Sequence, residues 1–193
     1  MENNSDKLLD VAQLEAELER EKHKKRYGRT LGSTVAVLIT IAAISVLVAT
    51  LWLPVLQIYG SSMTPTLEEG QIVVAVKHSD FEEGDVIAFY YGNKMLVKRY
   101  IAGPGSWVDI QDDGTVLVDG TTLNEPYISE KSLGECDLKF PYQVPEDRYF
   151  VLGDHRETSV DSRSSALGCV AEEQVVGKIY FSIWPLNKIG RIN

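Results

Sequence analysis

The sequence contains few of the residues that bind metals. Its 193 residues include two cysteines and three histidines, and none of these falls in the short spacings that are typical of zinc sites. The sequence also has no internal repeat and no low-complexity tract. These absences argue against a metalloprotein and a repeat protein, and we expect no cofactor and no metal.

Basic residues are scarce outside the N-terminal region. The chain has 19 basic and 28 acidic side chains, a net charge of −9. Residues 1–29 hold seven of each sign, so the acidic excess belongs to the rest of the chain. Because nucleic acids bind basic surfaces, we expect no nucleic-acid partner.

Charge is absent altogether from one long stretch. No charged side chain occurs from Thr30 to Leu67, and residues 31–53 are almost all apolar, Ser or Thr. A helix of about 23 residues is about 34 Å long, enough to cross a bilayer core. We predict a transmembrane helix at residues 31–53. The alternatives are a buried core helix and a cleaved export signal, whose apolar region is usually about 7–15 residues long.

Basic residues on one side of this span predict its orientation. After the span, no lysine or arginine occurs before Lys77. Since basic flanks stay in the cytoplasm, we predict a single-pass plasma-membrane protein. Residues 1–30 would form a cytoplasmic tail, and residues 54–193 would lie on the extracytoplasmic side. The basic residues just before the span are Lys22, Lys24, Lys25, Arg26 and Arg29.

Residues 54–193 have the pattern of a single β domain. Short runs of branched and aromatic residues alternate with turns rich in Gly, Asp and Asn, which predicts an antiparallel, curled or barrel-like β domain. Shorter strands and denser turns at about 107–145 predict a small inserted lobe. The clearest runs are residues 71–76, 86–91, 95–102, 115–118, 148–152 and 175–184.

The two cysteines are Cys136, in the predicted lobe, and Cys169, in the C-terminal part. A disulfide is permitted outside the cytoplasm, but sequence spacing cannot show that two cysteines meet. We expect two independent, half-buried thiols, with a disulfide as the alternative.

A serine follows the predicted span closely. Residues 60–66 are GSSMTPT, and about thirty residues later the strand-like run 95–101 contains Lys98. A serine is a poor nucleophile until a base takes its proton, and a desolvated lysine can do so. Ser62 and Lys98 therefore suggest a membrane-tethered Ser/Lys hydrolase. The alternative is that Lys98 extends to solvent, as most strand lysines do.

A third informative segment follows the strand-like run 148–152. Residues 153–163, GDHRETSVDSR, begin with a glycine turn and continue with small polar and charged side chains. Such a loop can orient a neighbouring active site through hydrogen bonds. The alternative is a solvated loop with surface ion pairs.

Together these segments resemble the type I signal peptidases of bacteria. The order and spacing of four motifs agree with that family, as does the preceding membrane span, over nearly all of residues 31–185. The motifs are the serine segment 60–67, the glycine-aspartate strand 84–89, the lysine segment 98–105 and the final segment 153–163.

The resemblance implies roles for individual residues. Ser62 would be the nucleophile, Lys98 the general base, and Ser159 the hydroxyl that orients the lysine amine. The Ser62 backbone N–H and a group at position 60 would hold the oxyanion. Some relatives have a hydroxyl residue at that position, which Gly60 lacks. The implied ion-paired scaffold behind the site comprises Asp161, Arg163 and Arg99.

The resemblance also implies the substrates, which are exported precursor proteins cut after small residues in an Ala-x-Ala pattern. An extended substrate can add as a strand to a sheet edge, with alternate side chains entering pockets. Bulky apolar walls would admit only small side chains, although each wall residue could instead be ordinary core. The expected pocket residues are Leu56, Ile58, Met63, Leu67 and Val97.

Three other functions fit parts of the pattern. The self-cleaving repressors also pair a serine with a strand lysine, but they are cytoplasmic and bind DNA. A signal peptidase with histidine as its base is disfavoured because Lys98 occupies the base position. A membrane-anchored β domain that only binds exported chains would require Ser62 and Lys98 to lie far apart or to be dispensable.

Overall fold

The computed structural model describes residues 4–192, with side-chain environments from Gln13 onward. The chain divides into two compact units, one up to Ala49 and one from Thr50 onward. The predicted tail begins with residues 1–3, which lie outside the described residues.

Helix α1 (Asn4–Trp52), of 49 residues, makes up the N-terminal unit as far as Ala49 and continues for three residues beyond it. By length and composition, Gln13–Trp52 could cross a membrane. Its large apolar side chains are exposed, for example Leu38 at 61% and Ile39 at 63%. Exposed apolar side chains in such numbers favour a lipid environment over water.

The helix begins well before the predicted span. Residues 13–30 are rich in Glu, Lys, Arg, Leu and Ala, which favour helix, so the charged segment continues the same helix as the apolar one. Inside the apolar part, hydroxyl groups donate to the carbonyl one turn earlier, as Thr34 Oγ1 does to Thr30 O at 3.0 Å and Thr40 Oγ1 to Ala36 O at 2.9 Å. These bonds give each hydroxyl an acceptor, which the hydrocarbon core of a bilayer could not supply.

The second unit is built from short antiparallel strands. Within the described residues, the larger sheet has the order β1-β2-β11-β3-β4-β9-β10, with β12 beside β11. The smaller sheet has the order β7-β6-β5-β8. The strands are β1 (Val55–Gln57), β2 (Ile72–Lys77), β3 (Val86–Tyr91), β4 (Lys94–Ala102), β5 (Trp107–Ile110), β6 (Val116–Val118), β7 (Thr121–Thr122), β8 (Tyr142–Gln143), β9 (Arg148–Leu152), β10 (Val170–Ala171), β11 (Val175–Trp184) and β12 (Gly190–Arg191).

Alternation of side chains decides which face of each strand is buried. In β2, Val73 and Ala75 are fully buried while their neighbours are only partly so. They join a core with Ile58, Met63 and Leu67, which places the serine segment directly on this core. A second core lies between β4, β9 and the smaller sheet, where Val108 and Phe150 pack together.

The prediction of a mainly antiparallel β domain after a long apolar helix is confirmed. Among the described residues the larger sheet is open, because β1 and β10 end its strand order without pairing with each other. The smaller sheet lies between Trp107 and Gln143. The residue limits that the sequence suggests for tail, span, catalytic domain and lobe stay predictions.

The two cysteines are both free. Cys169 is buried, whereas Cys136 is partly exposed. The Cys169 thiol lies 3.9 Å from the Tyr142 hydroxyl, and the Cys136 thiol lies 3.7 Å from the Leu138 carbonyl. The expected independent thiols are therefore found, and the alternative disulfide is absent from the described residues.

Candidate active site

The serine segment is a compact turn anchored by apolar side chains. Met63 within the turn and Leu67 at its end are buried in the core, and Leu67 N–H donates to Met63 O at 2.8 Å. The turn begins at Gly60, whose φ of +80° is a left-handed conformation that favours glycine. Ser62 is half-buried, and its carbonyl accepts a hydrogen bond from His155 N–H at 3.1 Å. The backbone around Ser62 is thus fixed from two sides.

Lys98 lies in the middle of β4 and is only 4% exposed. Its Nζ donates to Ser159 Oγ at 2.8 Å. Burial lowers the pKa of Lys98 from 10.5 to about 8; the Arg163 charge also lowers it, while Asp161 and Asp154 act in the opposite direction. A buried amine in this range can exist in its neutral form near physiological pH.

The loop of residues 153–163 places Ser159 against the lysine. Asp161 lies behind it, accepting from Gly153 N–H at 2.9 Å and pairing with Arg163, whose Nη2 lies 2.8 Å from Asp161 Oδ2. Both side chains are fully buried. A Cβ at Gly153 would clash with Ser159 Oγ and lie 2.5 Å from Ser62 O. Only glycine therefore lets the loop pack this closely against the serine segment.

Arg99 points to the opposite face of β4 from Lys98. Its Nε and Nη2 donate to the two carboxylate oxygens of Asp154 at 2.8 and 2.7 Å. The sequence grouped Arg99 with Asp161 and Arg163, whereas in the structure its carboxylate partner is Asp154. Sequence reasoning did not name Asp154, although it lies inside the final motif.

One cavity of about 670 Å³ brings the two candidate catalytic residues together. Ser62 and Lys98 both line it, with Gly60 at the same wall. Four of the five expected pocket residues line it as well. Leu67 does not; it is fully buried in the core below the serine segment. The four that line the cavity are Leu56, Ile58, Met63 and Val97.

Two strand edges border this cavity. Within the described residues, β1 pairs only with β2. Residues 94–98 of β4 pair only with β3, because the pairing with β9 begins at Arg99. Each strand therefore offers a free backbone edge to the cavity.

The segment between β7 and β8 also contributes a buried charge, which sequence reasoning did not predict. The carboxylate of Glu125 forms an ion pair with Arg156, and the two side chains are 2% and 1% exposed. Tyr127, two residues later, lies against Arg99, whose Cζ is 3.7 Å from the ring centroid. No group of residues able to hold a metal ion occurs in the described part of the chain.

The site combines a serine, a buried lysine with a lowered pKa, and a cavity between two free strand edges. This combination fits a serine hydrolase that acts on extended chains.

Comparison with known proteins agrees with this class. Residues 31–184 match the family model "Signal peptidase, peptidase S26". A signal peptidase I of Bacillus licheniformis is 35% identical over 167 residues, which cover 80% of this chain and 88% of the relative. A signal peptidase IB of Staphylococcus aureus strain COL is 36% identical over 152 residues, covering 68% and 78%. A crystal structure of a signal peptidase I from Enterococcus faecalis V583 is 31% identical, with a TM-score of 0.42, and the match covers 52% of this chain and 97% of that one.

The chain belongs to the signal peptidase family, peptidase S26. The resemblance inferred from the four motifs is thereby confirmed. The protein is a serine endopeptidase, a hydrolase, which sets aside the alternative of a β domain that only binds exported chains.

Proposed function

We propose that this protein is a membrane-bound endopeptidase that removes N-terminal signal peptides from exported precursors, with Ser62 as nucleophile and Lys98 as general base. One observation carries the proposal. Lys98 is buried, its amine is hydrogen-bonded to Ser159, and it lines the same cavity as Ser62. Without that burial, the amine would hold its proton and could not act as a base.

The proposed reaction proceeds through an acyl-enzyme. Neutral Lys98 takes the proton of the Ser62 hydroxyl while Ser62 Oγ attacks the scissile carbonyl. The resulting ammonium returns this proton to the leaving amine as the peptide bond breaks. Lys98 then deprotonates a water molecule, which attacks the ester; its hydroxyl stays on the released signal peptide, and the proton returns to Ser62 Oγ.

A lowered pKa gives Lys98 this capacity. With a pKa of about 8, about one-tenth of the amine is neutral at pH 7, whereas at 10.5 about one part in three thousand would be. Ser159 restricts the amine to one orientation through the 2.8 Å hydrogen bond. We assign Asp161 and Arg163 to the support of the Ser159 loop, and Arg99 to the support of β4.

For the oxyanion, we propose the Ser62 backbone N–H as one donor. Gly60 has no side-chain hydroxyl, so any contribution from position 60 would come from its backbone. Preorganised backbone donors of this kind are a large part of the catalytic effect in acyl transfer.

The cavity supports the proposed specificity. A precursor bound as an extended strand between the free edges of β1 and β4 would place alternate side chains on the same side. The walls formed by Leu56, Ile58, Met63 and Val97 would leave room for alanine at two alternate positions and exclude larger residues. This gives an Ala-x-Ala preference in which the intervening residue faces solvent.

The location of the site follows from helix α1. We propose that its apolar part anchors the enzyme in the plasma membrane as a single span, with the basic residues before it in the cytoplasm. The β domain then lies on the extracytoplasmic surface, where the cleavage sites of exported precursors emerge. The proposed partners are therefore these precursors and the lipid bilayer, and no nucleic acid.

Cleavage of a model precursor by the purified full-length protein in detergent micelles tests this function. We expect one cut, identified by N-terminal sequencing of the product, directly after an Ala-x-Ala site. Phenylalanine in place of the last alanine should reduce cleavage severely, whereas changing the middle residue should matter little. Equal cleavage of the alanine and phenylalanine precursors would refute the proposed pocket, and no cleavage by wild type would refute the function.

A further inference from the structure

The segment Glu125–Tyr127 contacts two buried arginines, Arg99 and Arg156. It lies between β7 and β8. Glu125 Oε2 accepts from Arg156 Nη1 at 3.1 Å, and Glu125 Oε1 accepts from Arg156 Nη2. Tyr127 donates its hydroxyl to Glu125 Oε1 at 3.1 Å. The two side chains of this segment thus form one bonded unit.

The same unit contacts two different elements of the site. The Tyr127 ring lies under the Arg99 guanidinium, 3.7 Å from Cζ to centroid, so it contacts β4 one residue after Lys98. Glu125 binds Arg156, which belongs to the loop that carries Ser159. Burial raises the pKa of the Tyr127 phenol, so its hydroxyl stays protonated and keeps donating to Glu125.

Both the side chain and the backbone carbonyl of Arg156 form hydrogen bonds within this loop. Its Nε donates to Gly153 O at 3.0 Å, and its carbonyl accepts from Arg163 Nη2 at 2.8 Å. A shift of Arg156 would therefore move the segment that holds Ser159. Because Glu125 is the carboxylate partner of this buried arginine, removing its charge would leave the guanidinium poorly compensated.

We propose that Glu125 and Tyr127 are positioning residues of the peptidase site, which together brace β4 against the loop 153–163 and so set the placement of the Lys98 amine relative to Ser159. This inference rests on the proposed role of Lys98. The Lys98–Ser159 hydrogen bond joins the same two elements that the brace joins. A displacement of the loop away from β4 would lengthen that bond.

The brace predicts a change in kinetics that a purely structural role would not produce. A loosened Lys98–Ser159 bond would misplace the amine and admit water to it. The catalytic rate would then fall, and the acid limb of the pH profile would move to higher pH, because hydration favours the charged amine. The charged groups that act on Lys98, namely Asp161, Arg163 and Asp154, are unchanged in variants of the brace.

The experiment compares Glu125→Gln, Tyr127→Leu and Tyr127→Phe with wild type, using kcat, KM and the pH profile of precursor cleavage. We expect Glu125→Gln and Tyr127→Leu to lower kcat about tenfold or more with KM nearly unchanged, because a small misplacement of a catalytic group costs mainly rate. Tyr127→Phe keeps the ring against Arg99 and should lose less than Tyr127→Leu. The acid limb should move to higher pH in the order of the rate losses.

Two variants serve as matched controls. Glu130→Gln removes an exposed carboxylate from the same region, and Tyr142→Phe removes the hydroxyl of a partly buried tyrosine on β8. Both should keep the wild-type rate and pH profile. If Glu125→Gln does not fold, the two Tyr127 variants still carry the test, because neither changes a charge.

Wild-type rate and pH profile in folded Tyr127→Leu would overturn the brace. A rate loss that follows only a lower melting temperature, with an unmoved acid limb, would overturn it too. Lys98→Ala, measured in parallel, separates the brace from the proposed function. An active wild type with inert Lys98→Ala upholds the function whatever the brace variants do, whereas an active Lys98→Ala rejects the function and the brace with it.

Discussion

At the scale of single residues, the central feature is a lysine in a place that disfavours its charge. Lys98 is 4% exposed and lacks an ion pair among the described contacts; its hydrogen-bond partner is the neutral Ser159 hydroxyl. The two carboxylates that act on its charge are each paired with an arginine, Asp161 with Arg163 and Asp154 with Arg99. Because neither carboxylate pairs directly with the Lys98 amine, burial is not fully offset and the pKa of Lys98 stays low.

The first prediction concerns pH. Because neutral Lys98 is the proposed base and protonation removes it, cleavage should decline as pH falls below the lysine pKa of about 8, by about tenfold per unit. The measurement is kcat/KM for precursor cleavage across the acid limb.

His155→Ala is the matched control for this profile. The His155 ring contacts Thr158, with Nδ1 3.1 Å from Oγ1, while its bond to Ser62 comes from the backbone and survives the substitution. The acid limb should therefore persist in His155→Ala. Its disappearance there would assign the limb to histidine instead of Lys98.

The sequence predicted residue identities better than residue partners. Ser62 and Lys98 could be proposed because each lies in a short motif with a chemical requirement. The Arg99–Asp154 pair could not, because the two residues are 55 positions apart and any of several acidic residues could have faced the arginine. Leu67 lies in the core and not at the cavity wall for a similar reason, since an apolar residue beside a site can equally face the core.

At the scale of elements, the site depends on how closely one loop packs against the serine turn. Gly153 directly follows β9, and a Cβ at this position would clash with both Ser159 and the Ser62 carbonyl. The loop can approach the serine turn this closely only because position 153 carries no side chain.

The second prediction follows from that packing. Gly153→Ala should reduce kcat on the order of 100-fold by displacing Ser159 and the serine turn together. Gly190→Ala is the control, because nothing lies within 4 Å of a Cβ at that glycine. The measurement is precursor cleavage by both folded variants, checked by circular dichroism. Equal activity of the two variants would contradict the account of the loop.

The longer strands of the fold could be predicted because each has enough residues to show a pattern. All six predicted runs overlap strands of the structure. The two-residue strands β7, β8, β10 and β12 could not be predicted, because a pair of residues carries no alternation. Strands of three or four residues are predicted only in part: β6 lies in a predicted run, whereas β1 and β5 do not, although β1 forms one wall of the cavity.

At the scale of the whole molecule, the chain combines an apolar helix with a separately packed β unit. The β unit from Thr50 onward has its own cores and both candidate catalytic residues. Its pairing begins with Pro54, whose carbonyl accepts from Ala75 N–H at 3.0 Å. The surface of this unit also exposes large apolar side chains, including Phe181 and Trp184 at 50% each.

The third prediction is that a fragment beginning at Pro54 folds and keeps the chemistry without helix α1. Exposed apolar residues such as Phe181 and Trp184 should make its activity higher with detergent or lipid than in buffer alone. The measurement is cleavage of a model precursor by this fragment with and without vesicles. A folded fragment that stays inert even with lipid would show that the anchor contributes to the site.

The central claim is that Ser62 and Lys98 act as one catalytic unit, and a double-mutant comparison of precursor cleavage tests it most directly. Wild type, Ser62→Ala, Lys98→Ala and the double variant would be assayed at the same pH after folding has been verified. We predict that each single variant loses activity on the order of 10³-fold or more and that the double variant is no worse than either. Appreciable turnover by folded Ser62→Ala, or losses that multiply in the double variant, would contradict the account.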